Sequence, residues 1–292
     1  MNYLEKYGYV PTNIDEKVAA VRACLDKWQT GEVYARALGM IDLTSLTVTD
    51  TPTKIAAMTQ KVNRFNELYP DYPLPASICV YPNFAKTVAI TRDNPDVHVT
   101  VVGGCFPASQ SYLDVKVFEC VKAVKDGADE VDIVLALNSF LDGRYDDTFK
   151  EISEIKKAIK SAMKRKKVVL KVILETGSLG SYENIAQAAF LAMEAGADFI
   201  KTSTGKTTVS ATPEAAYIMC ECISKYVTAT ARKVGFKPAG GISTPDDAAL
   251  YYGIVDTVLG ESWLSKEYFR FGASRMANNL LGALEGEEVK YY

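Results

Sequence analysis

The chain has 292 residues, of which 48% are hydrophobic and 24% are charged. This composition supplies a large apolar core and excludes an intrinsically disordered protein. With 33 Lys and Arg against 36 Asp and Glu, the net charge is −3, so no global basic field is available to attract nucleic acid or an anionic membrane.

The first 38 residues are predicted to form a helical cap segment, helical from about Asp15 to Gly39. Eight short runs rich in β-branched residues then alternate with amphipathic segments. The runs are Met40–Thr44, Ser77–Tyr81, Val97–Val102, Glu130–Leu135, Val168–Leu174, Asp198–Thr202, Val234–Lys237 and Tyr268–Gly272. Such alternation predicts a parallel sheet, and eight runs suit one closed (β/α)8 TIM barrel. We predict the barrel over residues 39–284 and a C-terminal tail over 285–292, with Ile254–Gly260 as a competing eighth strand.

The segments between the runs predict helices. Thr53–Leu68 and Thr148–Met163 carry apolar residues at three- and four-residue spacing, with polar residues on the opposite face. Gly127 and Gly196 are placed to end helices just before strands. No Pro- or Ser-rich linker interrupts the pattern, which favours a single domain.

Targeting and redox features predict a cytoplasmic protein. The N-terminus has no basic flank followed by an apolar core, and no apolar run approaches the roughly 20 residues of a membrane span. The six cysteines are scattered and form no CxxC pair. Free thiols in a reducing compartment are therefore expected, rather than a disulfide framework.

His98 is the single histidine in the chain. Zinc-dependent aldolases and most histidine-based acid–base chemistry need two or more imidazoles. The count therefore excludes metal catalysis built on histidines. It leaves a carboxylate-bound magnesium open, although no acidic cluster suggests one.

The most informative residues are charges inside apolar strands. They are Asp42, Asp132, Lys171, Lys201 and Lys237. Alternate strand residues point into a barrel, and a charge facing the helices would be unpaired in apolar surroundings. The alternative is that each lysine lies at a strand end and reaches solvent. Five ionisable groups at comparable strand positions favour the inward interpretation, in which opposite charges neutralise one another.

Such a cluster predicts covalent catalysis by lysine. A free lysine amine has a pKa near about 10.4 and is mostly protonated at neutral pH. Burial and a neighbouring ammonium group both disfavour the charged form and generate a nucleophilic amine. One lysine would attack a carbonyl, a second would lower its pKa, and an aspartate would move protons.

Three glycine-bearing turns follow late strands, where barrels often bind phosphate. They are Thr204–Lys206, Pro238–Ile242 and Phe271–Ser274. Each is a weak signal alone, because glycine also serves ordinary loop closure. The string that begins at Gly205 is not a nucleotide-binding P-loop, because Ile200 occupies the position of the first glycine.

Four segments closely resemble the deoxyribose-phosphate aldolase family of class I aldolases. They are Gly127–Asp132, Asp198–Lys206, Val234–Gly241 and Arg270–Ser274. The likeness runs from about Ile41 to Leu281. It implies a (β/α)8 lyase that reversibly cleaves 2-deoxy-D-ribose 5-phosphate to D-glyceraldehyde 3-phosphate and acetaldehyde. It also implies no metal and no organic cofactor, and a role in deoxyribonucleotide catabolism and carbohydrate degradation.

The resemblance also implies roles for individual residues. Lys201 matches the Schiff-base lysine, Lys237 the lysine that perturbs it, and Asp132 the proton-relay aspartate. Asp42 and Thr44 match positions near the substrate hydroxyls, and Lys171 supports the same substrate-binding group. The implied phosphate site consists of Gly205, Lys206, Gly240, Gly241, Gly272 and Ser274.

Some features depart from that pattern or stay open. Arg275 follows Ser274 where bacterial members carry a second serine, and a cation there is compatible with phosphate. The final tyrosines could reach the barrel mouth on a mobile tail or belong to a frayed terminus. The partners implied are a small sugar phosphate and an aldehyde, without nucleic acid or membrane, and a homodimer is left open.

Two other functions are compatible with the sequence. The first is a different class I aldolase or transaldolase acting on another small sugar phosphate. The second is a catalytically silent barrel that serves as a binding scaffold. The joint presence of Asp132, Lys201 and Lys237 argues against a silent barrel, since such a relative would most easily lose one of them.

Overall fold

A computed structural model describes residues 1–163 and 167–292. Eight parallel strands form one sheet in the order β7-β6-β5-β4-β3-β2-β1-β8. The strands are β1 Ile41–Thr44, β2 Ser77–Val80, β3 His98–Gly103, β4 Glu130–Val134, β5 Val169–Ile173, β6 Phe199–Lys201, β7 Gly235–Lys237 and β8 Phe271–Ala273. Bridges from Phe236 to Phe269 and from Ala239 to Gly272 join β7 to the β8 segment and close the sheet. The predicted (β/α)8 barrel is confirmed.

The eighth strand overlaps the predicted run Tyr268–Gly272. The competing run, Ile254–Gly260, is helical instead. Ile254–Gly260 overlaps the last turns of a helix, Pro245–Leu259, which begins with a capping box between Thr244 and Asp247. That helix is buried along most of its length. Its apolar residues therefore show no polar face that would distinguish a helix from a strand in sequence.

Helices surround the barrel and precede it. They are α1 Tyr3–Tyr7, α2 Ile14–Arg22, α3 Gly31–Leu38, α4 Pro52–Leu68, α5 Ala85–Thr91, α6 Leu113–Lys125, α7 Leu137–Leu141, α8 Tyr145–Ala162, α9 Tyr182–Glu194, α10 Pro213–Thr230, α11 Pro245–Leu259 and α12 Arg275–Glu285. The two predicted amphipathic segments coincide with α4 and α8. Gly127 and Gly196 follow α6 and α9 with φ of 111° and 107°, as predicted for glycines that end helices.

The N-terminal segment is helical over most of the predicted stretch from Asp15 to Gly39, but the helix is interrupted in its middle. A 3-10 turn, Leu25–Lys27, separates α2 from α3. Thr30 starts α3 afresh, because its hydroxyl accepts a hydrogen bond from Val33 N at 3.3 Å. The break lets Trp28 turn toward α11, where its indole N–H donates to Asp256 at 3.0 Å.

The described residues bear on two further predictions. All six cysteines are free thiols, and four of them are buried. Within residues 1–163 and 167–292, no helix combines the length and the apolar character that crossing a membrane requires.

Gly253→Ala should destabilise the protein, because a Cβ there would lie 2.5 Å from the Trp28 ring. Overpacking of this kind costs about 1 to 3 kcal/mol. Denaturant unfolding followed by tryptophan fluorescence measures the loss. The matched control is Gly31→Ala in α3, whose new Cβ would meet its nearest neighbour at 3.7 Å. Equal stability of the two variants would contradict a tight contact between Trp28 and α11.

Candidate active site

Seven ionisable side chains are buried together inside the barrel. They are Asp42, Glu130, Asp132, Lys171, Lys201, Lys237 and Arg270. Each is at most 4% exposed. The five charges predicted from the sequence to face inward do so, and the interpretation of lysines reaching solvent is excluded.

Asp132 lies at the centre of this cluster. Its Oδ2 accepts hydrogen bonds from Lys201 Nζ at 3.0 Å and from Lys237 Nζ at 2.7 Å. Its Oδ1 accepts from Lys171 Nζ at 2.9 Å. Lys201 and Lys237 are register partners at the carboxyl ends of β6 and β7, and Asp132 and Lys171 are register partners on β4 and β5. Parallel pairing in this register therefore brings three lysines to one carboxylate.

Asp42 forms a second centre on β1. Its Oδ2 accepts from Lys237 Nζ at 2.5 Å, and its Oδ1 accepts from Arg270 Nη1 at 2.6 Å and from Ser77 Oγ at 2.7 Å. Lys237 thus bridges the carboxylates of Asp42 and Asp132.

Sequence reasoning missed two members of the cluster, Glu130 and Arg270. Arg270 Nη2 donates to Glu130 Oε1 at 2.8 Å, and Glu130 also pairs with Lys171. Strand alternation could have revealed both residues, because side chains two positions apart on a strand point to the same side. Glu130 lies two residues before Asp132, and Arg270 lies two residues before Gly272.

The single His98 is the first residue of β3, with Nδ1 2.6 Å from Glu130 Oε1. It therefore lies at the amino end of the barrel, opposite the mouth.

The charges of the cluster determine which groups are ionised. Burial alone would raise the pKa of Asp132, but Lys171, Lys237 and Lys201 outweigh it and hold the pKa well below its ordinary value. Burial alone would lower the pKa of Lys237, but Asp132 and Asp42 raise it above the usual range. Asp132 is therefore a carboxylate and Lys237 an ammonium at neutral pH.

Lys201 differs from the other lysines of the cluster. Burial lowers its pKa, and the charge of Lys237 lowers it further, against the opposing effect of Asp132. Three carboxylates are balanced by Lys171, Lys237 and Arg270 without any charge on Lys201. The fourth cation is therefore the one that loses its proton most easily.

A cavity of about 540 Å³ opens at the carboxyl ends of the strands, and Lys201 lines it. Thr44 and all six residues predicted for phosphate also line it. Asp42, Asp132, Lys171 and Lys237 are buried behind this wall instead. Neither Asp nor Glu is among the described residues that line the cavity. The ionisable side chains of the wall are therefore cationic, whereas the carboxylates lie behind it, paired with cations.

The glycines of the cavity wall are required by close packing. Gly240 has φ of 84°, and a Cβ there would lie 2.8 Å from Ser210. A Cβ on Gly272 would lie 2.6 Å from Ala239 and 3.0 Å from Lys237 Cε. Backbone N–H groups can therefore approach a ligand closely at these turns.

Cations and helix ends surround the same wall. Lys206 Nζ donates to Leu46 O at 2.6 Å across the mouth. Ser274 is the N-cap residue of α12 and makes no side-chain capping bond. Arg275, at the first position of α12, lines the cavity, and its guanidinium forms no hydrogen bond or ion pair with the part of the chain that the structure describes.

Other wall residues were not predicted. Ser243 and Asn278 line the cavity, and the position of Ser243 just before α11 could have indicated it. Tyr292 also lines the cavity and is docked, with its ring stacked on Phe65 at 5.5 Å. Its backbone N donates to Asn278 at 2.8 Å. In this structure the tail therefore closes one side of the mouth and is not frayed.

Comparison with known proteins identifies the family. A model described as DeoC/LacD family aldolase matches residues 38–258. The chain belongs to this aldolase family. A Caenorhabditis elegans protein provisionally named deoxyribose-phosphate aldolase is 40% identical over 254 residues, which cover 85% of this chain and 80% of that protein. The resemblance inferred from the motifs is confirmed.

Solved structures agree with the family fold. The aldolase QR15 is 27% identical, with a TM-score of 0.66, over 85% of this chain and 96% of that chain. A tetrameric deoxyribose phosphate aldolase from Aeropyrum pernix is 24% identical, with a TM-score of 0.69, over 89% and 97% of the two chains. At that identity the Aeropyrum structure supports the fold alone, and the homodimer stays a prediction for this aldolase.

Arg270→Met should destabilise this aldolase by about 3 to 5 kcal/mol, because it leaves buried carboxylates without their guanidinium partner. Burial alone would raise the pKa of Asp42 and of Glu130. Lys237 and Lys171 lower the pKa of Asp42, whereas Arg270 and Lys171 lower the pKa of Glu130. The pKa of each carboxyl group therefore lies below its ordinary value. The stability that these two ionised carboxylates contribute to the folded protein is therefore complete above about pH 4 and is lost as the pH falls. Without Arg270 both pKa values rise, so acid unfolding should begin at a higher pH.

Urea titrations across the acid range measure this shift. The control is Arg144→Met, which removes an exposed arginine paired with Asp142 and Asp147. This control should leave both the free energy of unfolding and its pH dependence close to those of the wild type. An acid transition in the Arg270 variant at the wild-type pH would contradict the role of the guanidinium.

Proposed function

We propose that this aldolase reversibly cleaves 2-deoxy-D-ribose 5-phosphate to D-glyceraldehyde 3-phosphate and acetaldehyde through an imine on Lys201. The observation that carries the proposal is the buried pair of Lys201 and Lys237 on one Asp132 carboxylate, below a cavity rich in glycine turns. The 40% identity to the Caenorhabditis elegans protein supports the same substrate.

The first step is nucleophilic attack. Neutral Lys201, whose amine lines the cavity, adds to the C1 aldehyde of the ring-opened sugar. One proton from water and loss of the carbinolamine hydroxyl as water then give a protonated imine. Burial and the charge of Lys237 lower the pKa of Lys201 and favour its neutral amine. Lys237 does not compete for the carbonyl, because it is held by Asp132 and Asp42 at 2.7 and 2.5 Å.

The second step is carbon–carbon cleavage. The C3 hydroxyl loses its proton to Asp132 through one water molecule, because Asp132 lies behind the cavity wall, and the C2–C3 bond breaks. The electron pair of that bond moves to the protonated imine and forms an enamine, while C3 becomes the aldehyde carbon of glyceraldehyde 3-phosphate. Protonation of the enamine at C2 and hydrolysis of the imine release acetaldehyde and free Lys201. The imine is the electron sink, so the reaction as written needs no metal and no organic cofactor.

The phosphate is assigned to the opposite part of the cavity wall. The proposed ligands are the N–H groups at Gly205, Gly240, Gly241 and Gly272, the Lys206 ammonium and Ser274 at the start of α12. Arg275, with a guanidinium at the same wall, supplies a second cation. Thr44, which lines the cavity, is assigned to the substrate hydroxyls. Asp42 lies behind the wall and holds Lys237 at 2.5 Å, and Lys171 holds Asp132 in place at 2.9 Å. Fixing the far end of the substrate orients C1 toward Lys201.

Reduction with borohydride in the presence of acetaldehyde should add one ethyl group, on Lys201 alone. Lys237→Leu should lower the stability but retain the fold, because Asp132 keeps Lys171 and Lys201 and Asp42 keeps Arg270. It should raise the pKa of Lys201, since the cation that lowers it is removed. Amine reactivity should therefore appear at higher pH, and most activity at neutral pH should be lost.

Peptide mass spectrometry locates the adduct, and the pH dependence of trapping reports the pKa of Lys201. Lys233→Leu is the control, because this lysine precedes β7 at the opposite end of the barrel and packs over Trp263. An adduct on Lys237 would reverse the two assignments. A pH profile in Lys237→Leu identical to wild type would show that the two lysines are not coupled.

Lys206→Ala should weaken turnover of the phosphorylated sugar far more than that of unphosphorylated 2-deoxyribose. A charge-assisted contact is worth about 1.5 to 3 kcal/mol, which corresponds to about ten- to hundredfold in kcat/KM. Steady-state assays with both sugars measure the ratio, with Lys233→Ala as the control. Equal losses on the two sugars would mean that Lys206 does not recognise phosphate.

A further inference from the structure

Glu175 is a buried carboxylate that the proposed reaction does not use. It lies two residues beyond β5 and is 2% exposed. Its φ of 53° and ψ of 57° place it in the left-handed region, which residues other than glycine seldom adopt. Such conformations persist where the surrounding structure holds them, and they are concentrated at functional sites.

The contacts of Glu175 lead to the proposed phosphate-binding turn. Its carboxylate accepts hydrogen bonds from Thr204 N at 3.2 Å, from Thr204 Oγ1 at 2.5 Å and from Thr207 Oγ1 at 3.3 Å. Thr204 Oγ1 in turn accepts from Lys206 N at 3.0 Å. An ionised carboxylate only accepts hydrogen bonds, so the Thr204 hydroxyl must donate to Glu175. The oxygen of the Thr204 hydroxyl then accepts the hydrogen bond from the Lys206 N–H.

Glu175 has no ion-pair partner within 4.0 Å among residues 1–163 and 167–292. In particular, Lys206 Nζ is directed elsewhere, to the carbonyl of Leu46. The carboxylate therefore acts on the backbone and hydroxyl of the turn and leaves the Lys206 ammonium free of a competing anion. A direct ion pair with Lys206 would have reduced its attraction for a phosphate.

The segment that carries Glu175 is packed against the same turn. Thr176 N donates to Thr202 O at 3.0 Å. A Cβ on Gly177 would lie 2.4 Å from Val209 O, so the loops after β5 and β6 are in direct backbone contact. The loop after β6 therefore cannot shift without displacing the loop that presents Glu175.

We infer that Glu175 is a positioning residue that sets the Thr204–Lys206 backbone and thereby the selectivity of the site for phosphorylated substrates. This inference rests on the proposed function. The carboxylate does not touch the substrate. It orients the turn through the Thr204 hydroxyl.

The test compares kcat/KM for 2-deoxyribose 5-phosphate with kcat/KM for 2-deoxyribose. Glu175→Ala and Thr204→Val should each lower the ratio by about tenfold, the size expected for one hydrogen bond to a charged group. The loss should appear mainly as a higher KM for the sugar phosphate. Glu175→Gln should give an intermediate ratio, because the amide oxygen keeps one acceptor but its NH2 group cannot accept from the Thr204 hydroxyl.

A double-mutant cycle tests whether Glu175 acts through the turn. Glu175→Ala combined with Thr204→Val should have a ratio within about twofold of Thr204→Val alone, because both changes break the same chain of hydrogen bonds to the turn. The matched control is Glu119→Ala, which removes a carboxylate that accepts from Cys105 N at 2.8 Å in the loop after β3. That loop is outside the phosphate wall, so any loss there should be equal for the two sugars.

Equal losses on both sugars in the Glu175 and Thr204 variants, or additive effects of Glu175→Ala and Thr204→Val, would overturn the inference. Circular dichroism verifies the fold of each variant, and Thr204→Val gives an answer if Glu175→Ala does not fold. Failure of the proposed function would look different. The wild type would then neither cleave the sugar phosphate nor form the borohydride-reduced adduct on Lys201.

Discussion

The Asp132 carboxylate accepts hydrogen bonds from three lysines in the interior of the barrel, and the arrangement of the site depends on this interaction. A buried anion with three cationic neighbours remains ionised, because neutralising it would leave the ammonium groups unpaired. Two of those lysines are held by further carboxylates, whereas Lys201 is bound by Asp132 alone. The network therefore selects one lysine as the amine that gives up its proton.

This network also separates the site into two electrostatic regions. The acidic groups lie behind the cavity wall, and the wall itself carries Lys206, Arg275 and glycine-bearing turns. A phosphorylated substrate would thus meet cations and backbone N–H groups first, while its aldehyde end reaches Lys201. Anionic groups deep in the barrel are compensated locally, so they do not repel the phosphate at the mouth.

The quality of sequence-based prediction varied with the kind of signal. Charges within apolar strands stand out, so Asp42, Asp132 and the three lysines could be assigned to the interior from alternation alone. Glu130 was not distinguished from the other residues of its strand, and Arg270 was recognised only as part of a motif. The eighth strand was ambiguous, because a helix buried on nearly all sides has no polar face. The break between α2 and α3 depends on Trp28 packing against Gly253, a contact between residues far apart in the chain.

By itself, the sequence determined the alternation of strands and helices, the inward charges and the glycine turns, because these follow from local periodicity and residue chemistry. Only the tertiary structure decided which ionisable groups contact one another. Register pairing places Lys201 beside Lys237 and Lys171 beside Asp132, and barrel closure carries Arg270 across to Glu130. These distances set the pKa of each group, and electrostatic interaction depends on separation in space rather than along the chain. The same applies to Glu175, which can form hydrogen bonds with the turn at Thr204 only when β5 and β6 are adjacent.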